Sequence, residues 1–341
     1  MHQLTYDDIK AATDRIAGHV RPVAVAPVTP GTIRTAQGGH LGARSDCEVW
    51  FALEFMQHTG SFKARGAQNF IQAHREAGTL PDTGVTIASG GNAGLACAWA
   101  ARQQGVRATV FLPTVAPAVK VARLRDLGAD VRVVGAEYAE ALEACGEFAA
   151  SSGALAAHAY DHPLIAAGAG TLLEEIHARI PGLDTVVVSV GGGGLFAGVA
   201  TAAQHHGIRT VAVEPENCRA LNAAIEAGRP VDVPVDSVAV DALGARRATA
   251  LALHAARRDD VRSVLVPDGE IVRARQALWD DRRVAVEHAA ATALAALTAP
   301  DPANGPTAPS RGYRPHEGER VAVVLCGANT DPSDLVRPAG N

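Results

Sequence analysis

The sequence predicts an α/β fold made of parallel βαβ units, and three observations carry that expectation. Short β-branched runs alternate with segments of helical periodicity, once between about residues 84 and 150 and again from about residue 153. Strands alternating with helices of about 10–15 residues read as parallel units joined by right-handed crossovers. The stretch Thr185-Val186-Val187-Val188-Ser189-Val190 is apolar almost throughout, as a strand covered on both faces must be. A chain of 341 residues has room for two such series and a substantial core.

Residues 5–18 read as an amphipathic helix: Thr5 or Asp7 can cap it, Ile9, Ala12 and Ile16 share a face, and Gly18 stops it. Pro22, Pro27 and Pro30 keep the chain extended as far as Thr32. A short strand follows at 49–54 and a helix at 64–77. The first alternating series is strand 85–88, helix 93–104, strand 107–112, helix 118–127, strand 131–134 and helix 136–150. The second has helix 168–179, strand 185–190, helix 195–205 and strand 210–213. A helix near 284–298 and a strand at 321–325 close the pattern. Segment 300–320 holds five prolines and three glycines without apolar periodicity, so a mobile surface excursion is expected there.

Bulk properties exclude several classes of function. A net charge of −5 and an aromatic content of 4% speak against a nucleic-acid surface or a base-stacking platform. The five cysteines, Cys47, Cys97, Cys145, Cys218 and Cys326, are scattered and form no CxxC pair. Neither a disulfide framework nor a zinc site is expected, and a reducing compartment is. Residues 1–10 are polar and mixed in charge, unlike a signal peptide, and no apolar run approaches the roughly 20 residues of a membrane span. The expectation is a soluble cytoplasmic protein whose partners include neither nucleic acid nor membrane.

Chemistry is concentrated in three stretches. Of 31 basic residues only Lys10, Lys63 and Lys120 are lysines. Arg neither gives up its proton nor forms an imine, whereas a desolvated lysine amine can do both. Lys63 lies in His58-Thr59-Gly60-Ser61-Phe62-Lys63-Ala64-Arg65-Gly66-Ala67, and either a chemical role or a solvated surface position would suit it. Gly191-Gly192-Gly193-Gly194 follows the apolar strand and precedes a helix. Bare backbone N–H groups at a helix N-terminus cradle phosphate. The run is neither GxGxxG with a ribose-reading acid nor GxxxxGK[ST], which weakens the dinucleotide and P-loop readings. A flexible turn is the alternative, although each glycine costs entropy on folding. Ser89-Gly90-Gly91-Asn92-Ala93-Gly94 is a second strand-to-helix loop; it could hold a carboxylate or merely cap a helix. Together the three stretches point to pyridoxal phosphate carrying an amino acid.

The motif around Lys63 resembles the lysine motif of the serine/threonine dehydratases and serine racemases, which are fold-type II pyridoxal-phosphate enzymes. The similarity continues through Ser89-Gly90-Gly91-Asn92, the stretch 120–133 with Leu127-Gly128-Ala129-Asp130-Val131, and Tyr160-Asp161-His162-Pro163. It covers Gly191 to Leu195, Val213-Glu214-Pro215 and Leu325-Cys326-Gly327-Ala328-Asn329 as well. The resemblance implies two open twisted α/β domains of the tryptophan synthase β-like kind, with the cofactor in the interdomain cleft. A small mobile domain would span 53–150, and a large cofactor-binding domain would combine 1–52 with 151–341.

The resemblance also implies roles. Lys63 would anchor the cofactor as a Schiff base and later take the substrate Cα proton. Phe62 would pack against the ring, Asn92 would bond its hydroxyl, and Gly191, Gly192, Gly193, Gly194 and Leu195 would bind the phosphate. Ser61 with Ser89, Gly90, Gly91 and Ala93 would hold the substrate carboxylate. Cys326 stands where the family places Ser or Cys facing the ring nitrogen. Without a carboxylate there the nitrogen stays neutral, which favours direct loss of a β-leaving group; a plain buried thiol is the alternative.

Departures from the family pattern narrow the expectation. Racemases of this kind need a serine where Gly90 stands, so racemisation should be weak. Ala93 replaces a frequent histidine and Ala52 a frequent lysine, both expected near the cleft. Glu214 resembles the first ligand of a divalent-cation site, yet residues 216–220 lack the later carboxylate, and no metal is expected. The chain ends soon after Asn329, so no C-terminal regulatory domain is expected. The implied activity is dehydration and deamination of a β-hydroxy amino acid, L-threonine or L-serine by default, in a homodimer or higher homo-oligomer. Alternatives are a lyase for 3-hydroxyaspartate or another β-substituted amino acid, a β-replacement or threonine synthase-like transferase, and a non-catalytic cofactor-binding relative.

Overall fold

A computed structural model describes residues 3–33, 47–299 and 312–336. Most of the expected excursion at 300–320 lies outside the described residues. The strands are β1 (Val25–Val28), β2 (Glu48–Ala52), β3 (Val85–Ala88), β4 (Ala108–Leu112), β5 (Asp130–Val133), β6 (Leu155–Ala156), β7 (Thr185–Ser189), β8 (Arg209–Pro215), β9 (Val261–Val266) and β10 (Arg320–Val324). The helices up to the glycine run are α1 (Tyr6–Ile16), α2 (Lys63–Glu76), α3 (Asn92–Gln103), α4 (Ala118–Asp126), α5 (Tyr138–Ser152) and α6 (Pro163–Arg179). Those after it are α7 (Gly194–His205), α8 (Ala220–Ala227), α9 (Val240–Leu243), α10 (Ala250–Ala256), α11 (Asp268–Arg282) and α12 (His288–Thr298).

Two sheets result. The first has six strands in the order β1-β2-β10-β7-β8-β9, parallel throughout except that β1 runs antiparallel to β2. The second has the order β5-β4-β3-β6 and is wholly parallel. Burial follows from this: β3, β4 and β7 are buried along their whole length, as strands between two helical layers are. Helix α12 is buried all round from Ala289 to Thr298, which its alanine-rich, uncharged sequence permits. It lies against β7, β8, β9 and β10.

Local chemistry explains where the elements begin. Thr5 and Asp8 form a reciprocal capping box at α1. Helix α6 starts at Pro163, five residues before the periodicity places it, because His162 Nδ1 accepts from Leu164 N at 3.1 Å and proline suits the first helical position. Strand β1 was not expected, since its Pro27 cannot donate to a ladder; the position is tolerated on an edge strand. Among the described residues, α8 to α11 and β9 lie within 216–283, where the alanine-rich α8 and α10 hid the helical period. β6 pairs with β3, so the four-stranded sheet takes in residues 155–156. Ala52 is fully buried as the last residue of β2, paired with Val25 and Val324.

Candidate active site

Four segments leave the C-terminal ends of parallel strands and meet: 53–62 after β2, 89–91 after β3, 190–193 after β7 and 325–329 after β10. Open parallel sheets bind their ligands at such ends.

The lysine motif is stapled to the segment after β10. Thr59 adopts φ 62°, ψ 9°, a left-handed conformation uncommon for a β-branched residue, and Gly60 follows at φ 78°. Asn329 Nδ2 donates to Thr59 O at 2.7 Å, and Ala328 N donates to Gly60 O at 2.9 Å. Ser61 bridges to Gly327, and Phe62 N donates to Cys326 O at 3.0 Å. These bonds fix the residues that open α2.

Lys63 is the first residue of α2. Its Nζ donates to Ala159 O at 2.7 Å and lies 4.8 Å from the Phe62 ring centre and 5.9 Å from that of Tyr160. Although the residue as a whole is half-buried, the amine is enclosed, and burial lowers its pKa from 10.5 to about 8. Cys326 and Glu287 pull the other way. Two residues on, the fully buried Arg65 donates from Nε to Glu54 Oε1 at 2.6 Å and from Nη1 to Glu175 Oε1 at 2.7 Å. That ion network anchors α2 to the turn after β2 and to α6. The motif contained Arg65 without revealing this partner set, because Glu175 is 110 positions away.

The glycine run is hemmed in. A Cβ on Gly192 would lie 2.2 Å from the Tyr160 ring, and one on Gly193 would lie 2.3 Å from Ala252 Cβ. Gly193 has φ 97°, a conformation that disfavours side chains. Gly194 and Leu195 begin α7. All but Gly191 are buried.

The loop at 89–93 is looser. Ser89, Gly90, Gly91, Asn92 and Ala93 are all half-buried; Ser89 Oγ accepts from Gly91 N at 3.3 Å. Gly91 caps α3 with no side-chain bond, so neither Ser89 nor Asn92 serves as a simple helix cap. Asn92 instead donates from Nδ2 to Glu287 Oε1 and Oε2 at 2.9 and 3.0 Å, and its Oδ1 accepts from Asn329 Nδ2 at 2.6 Å. Asn329 N donates to Glu287 Oε1 at 2.8 Å. Burial raises the Glu287 pKa, while the N–H donors of Asn92 and Asn329 lower it. Sequence reasoning missed Glu287, which sits in no motif, and gave Asn329 no role. Ala93 lines a cavity beside Lys63.

Cys326 lies at the end of β10, buried, with Sγ 3.5 Å from Ser189 Oγ. Burial pushes its thiol up to about 12, so it is a neutral, weak hydrogen-bonding group. Glu214 accepts from Leu221 N at 2.7 Å and Asn222 N at 2.8 Å. Burial raises its pKa to about 8, against the pull of both bonds and Arg219. Its oxygens thus cap the start of α8. No group of three or more His, Cys, Asp or Glu suited to a metal ion occurs among the described residues.

The model of pyridoxal-phosphate dependent enzymes matches residues 35–327. The chain belongs to this family. It is 34% identical over 297 residues to an L-threonine ammonia-lyase of Geobacter sulfurreducens, covering 86% of this chain and 71% of that relative. It is 34% identical over 322 residues to a human serine dehydratase-like protein, covering 92% and 94% of the two chains. Among solved structures, maize serine racemase superimposes with a TM-score of 0.83 at 28% identity, over 98% of this chain and 96% of the other.

The residues present fit the family cofactor on four counts. An enclosed amine with a lowered pKa opens α2. A buried turn of residues that carry no side chain leads into a helix N-terminus. A neutral thiol stands at the end of β10. Ser61 Oγ is buried and has no hydrogen-bond partner among the described residues, a cost that a ligand would remove.

Proposed function

We propose that the protein is a lyase converting a β-hydroxy amino acid, L-threonine or L-serine, to a 2-oxo acid and ammonia. The observation that carries this reading is the enclosed Lys63 amine, placed between the glycine run and the 89–93 loop, with Gly90 offering no hydroxyl as a second acid/base. Relatives named L-threonine ammonia-lyase and serine dehydratase-like support the substrate class. Pyridoxal phosphate, when bound, supplies the electron sink that makes the Cα proton acidic.

The chain's own residues do the rest. Lys63 would hold the cofactor, and its amine, when free, would take the Cα proton. The backbone N–H groups from Gly191 to Leu195 hold the phosphate, Phe62 packs against the ring, and Asn92, kept in place by Glu287 and Asn329, reaches its hydroxyl. The neutral Cys326 thiol would stand toward the ring nitrogen without charging it. Ser61 and the 89–93 loop hold the substrate carboxylate. The β-hydroxyl leaves as water; the released enamine takes up water and loses ammonia, so the net products are the 2-oxo acid and ammonia. The smaller domain, expected over 53–150 and carried by β6 to residue 156, closes to keep water from the reacting atoms. The described cysteines, all buried, suit the reducing cytoplasm, and a homo-oligomer is the working assembly.

Two measurements test this reading. Assaying 2-oxo acid and ammonia over a panel of β-hydroxy amino acids should show turnover of threonine or serine; silence across the panel sinks it. Lys63→Ala should lose both turnover and the visible absorbance of bound cofactor.

A further inference from the structure

The surroundings of the Lys63 amine hold more than the proposed chemistry uses. An ammonium has three N–H donors, and among the described residues Nζ meets one acceptor, Ala159 O at 2.7 Å. Two aromatic faces stand beside it, with ring centres at 4.8 Å for Phe62 and 5.9 Å for Tyr160. A cation within about 6 Å of a ring centre is attracted by the negative face of the ring. Phe62, Lys63, Ala159 and Tyr160 line one cavity of about 200 Å³ together with Gly194 and Leu195.

The segment between β6 and α6 holds this arrangement in place. His158 Nδ1 accepts from Tyr160 N at 3.2 Å and from Asp161 N at 2.8 Å, and the Ala159 carbonyl of the same turn reaches the amine. The Tyr160 ring rests on Gly192, where an added Cβ would lie 2.2 Å from it. Its hydroxyl makes no hydrogen bond among the described residues, so the ring is what the amine meets.

A lysine that takes the Cα proton must carry charge for part of each turnover and then shed it. A carboxylate against the amine would pin that charge, and apolar enclosure alone would forbid it. One carbonyl and two ring faces lie between these extremes. We propose that Ala159 O and the faces of Phe62 and Tyr160 form the resting place of the Lys63 ammonium, with Tyr160 tuning the amine through its ring. This rests on the role proposed for Lys63 and not on which β-hydroxy amino acid is taken. The other titratable groups facing the amine do not bond to it. Burial opposes its charge, and Cys326 and Glu287 favour it. His158 is kept neutral by burial, with Asp161 opposing and Lys63 assisting. Burial raises the Tyr160 pKa, so the phenol adds no charge while the amine titrates.

The test reads the amine itself. The chain has three lysines in all, so the full-length protein, labelled with carbon-13 lysine and freed of cofactor, gives few Cε signals in NMR. Lys63→Ala assigns the one that matters. Its titration midpoint should fall by about 0.5–1 in pH in Tyr160→Leu, which is about a three- to tenfold loss of the charged form. Tyr160→Phe keeps the ring and should titrate with the parent. An unchanged or raised midpoint in Tyr160→Leu overturns the proposal, because packing on the glycine run alone gives no downward shift. An equal fall in Tyr160→Phe also overturns it, by placing the effect on the hydroxyl. Unchanged Lys10 and Lys120 signals show that the variant has folded, and Tyr160→Met supplies the same reading where leucine leaves the chain unfolded. Cofactor absorbance retained in Lys63→Ala would overturn the role proposed for Lys63 and leave the titration shift, and with it the aromatic resting place, standing.

Discussion

The two glycine-rich loops look alike in sequence and differ in the fold. Each leaves a buried parallel strand and enters a helix, yet 191–194 is packed against Tyr160, Ala252 and Leu243, whereas Gly91 has no heavy atom within 4 Å of where a Cβ would be. Gly193 needs a positive φ; neither Gly90 nor Gly91 does. The first loop is a preformed cradle, suited to a phosphate that stays. The second is an adjustable lip, suited to a carboxylate that comes and goes. Glycine is a steric requirement in the first; in the second Gly91 is a convenience and Gly90 meets only the movable end of Leu112.

The difference can be broken by substitution. Gly193→Ala combines an unfavourable φ with a methyl at 2.3 Å from Ala252 Cβ; a loss of about 2–3 kcal/mol in stability is expected, with weakened cofactor retention in dialysis. Gly90→Ala meets only Leu112 Cδ2, at 2.8 Å, and should cost about 1 kcal/mol. Gly91→Ala should change the denaturation midpoint little, within about 0.5 kcal/mol. If Gly91→Ala unfolds the protein as readily as Gly193→Ala, the contrast is wrong.

A pH experiment sharpens the same contrast at its centre. With its pKa lowered to about 8, the Lys63 amine is mostly protonated at pH 7 and mostly neutral at pH 9. Only the neutral amine attacks a carbonyl. The rate at which apoprotein captures pyridoxal phosphate should therefore rise with pH and level off above about 8. A midpoint near the ordinary lysine value of 10.5 would show that the amine is not desolvated.

The smallest effect concerns stereochemistry. Gly90→Ser installs a hydroxyl where racemases carry one, but its Cβ meets Leu112. Chiral analysis of recovered serine should show only a trace of the D form, increased when Leu112→Ala is added.

Much of this site was legible before the fold was known, and what was not has one physical cause. Lys63 stood out because only three of the 31 basic residues are lysines, and the 191–194 run because four glycines after an apolar strand exceed what a turn requires. Both signals are local. The partners of Asn92 are not: Glu287 and Asn329 lie 195 and 237 positions further along. No spacing rule could join them, since only the insertion of β10 between β2 and β7 brings these segments together. Helices α8 and α10 were hidden for a different reason, as abundant alanine leaves little period to read, and α11 because charged residues are spread around it.

That insertion also orders events during synthesis. The four-stranded sheet uses residues 85–156 and can close while the rest of the chain is still emerging. The six-stranded sheet cannot, because β10 must slot between strands made long before it. Until residue 329 is free of the ribosome, Ser61 and Phe62 lack their backbone partners and Asn92 lacks Asn329. A nascent chain released short of that point would carry a reactive lysine without the site that restrains it.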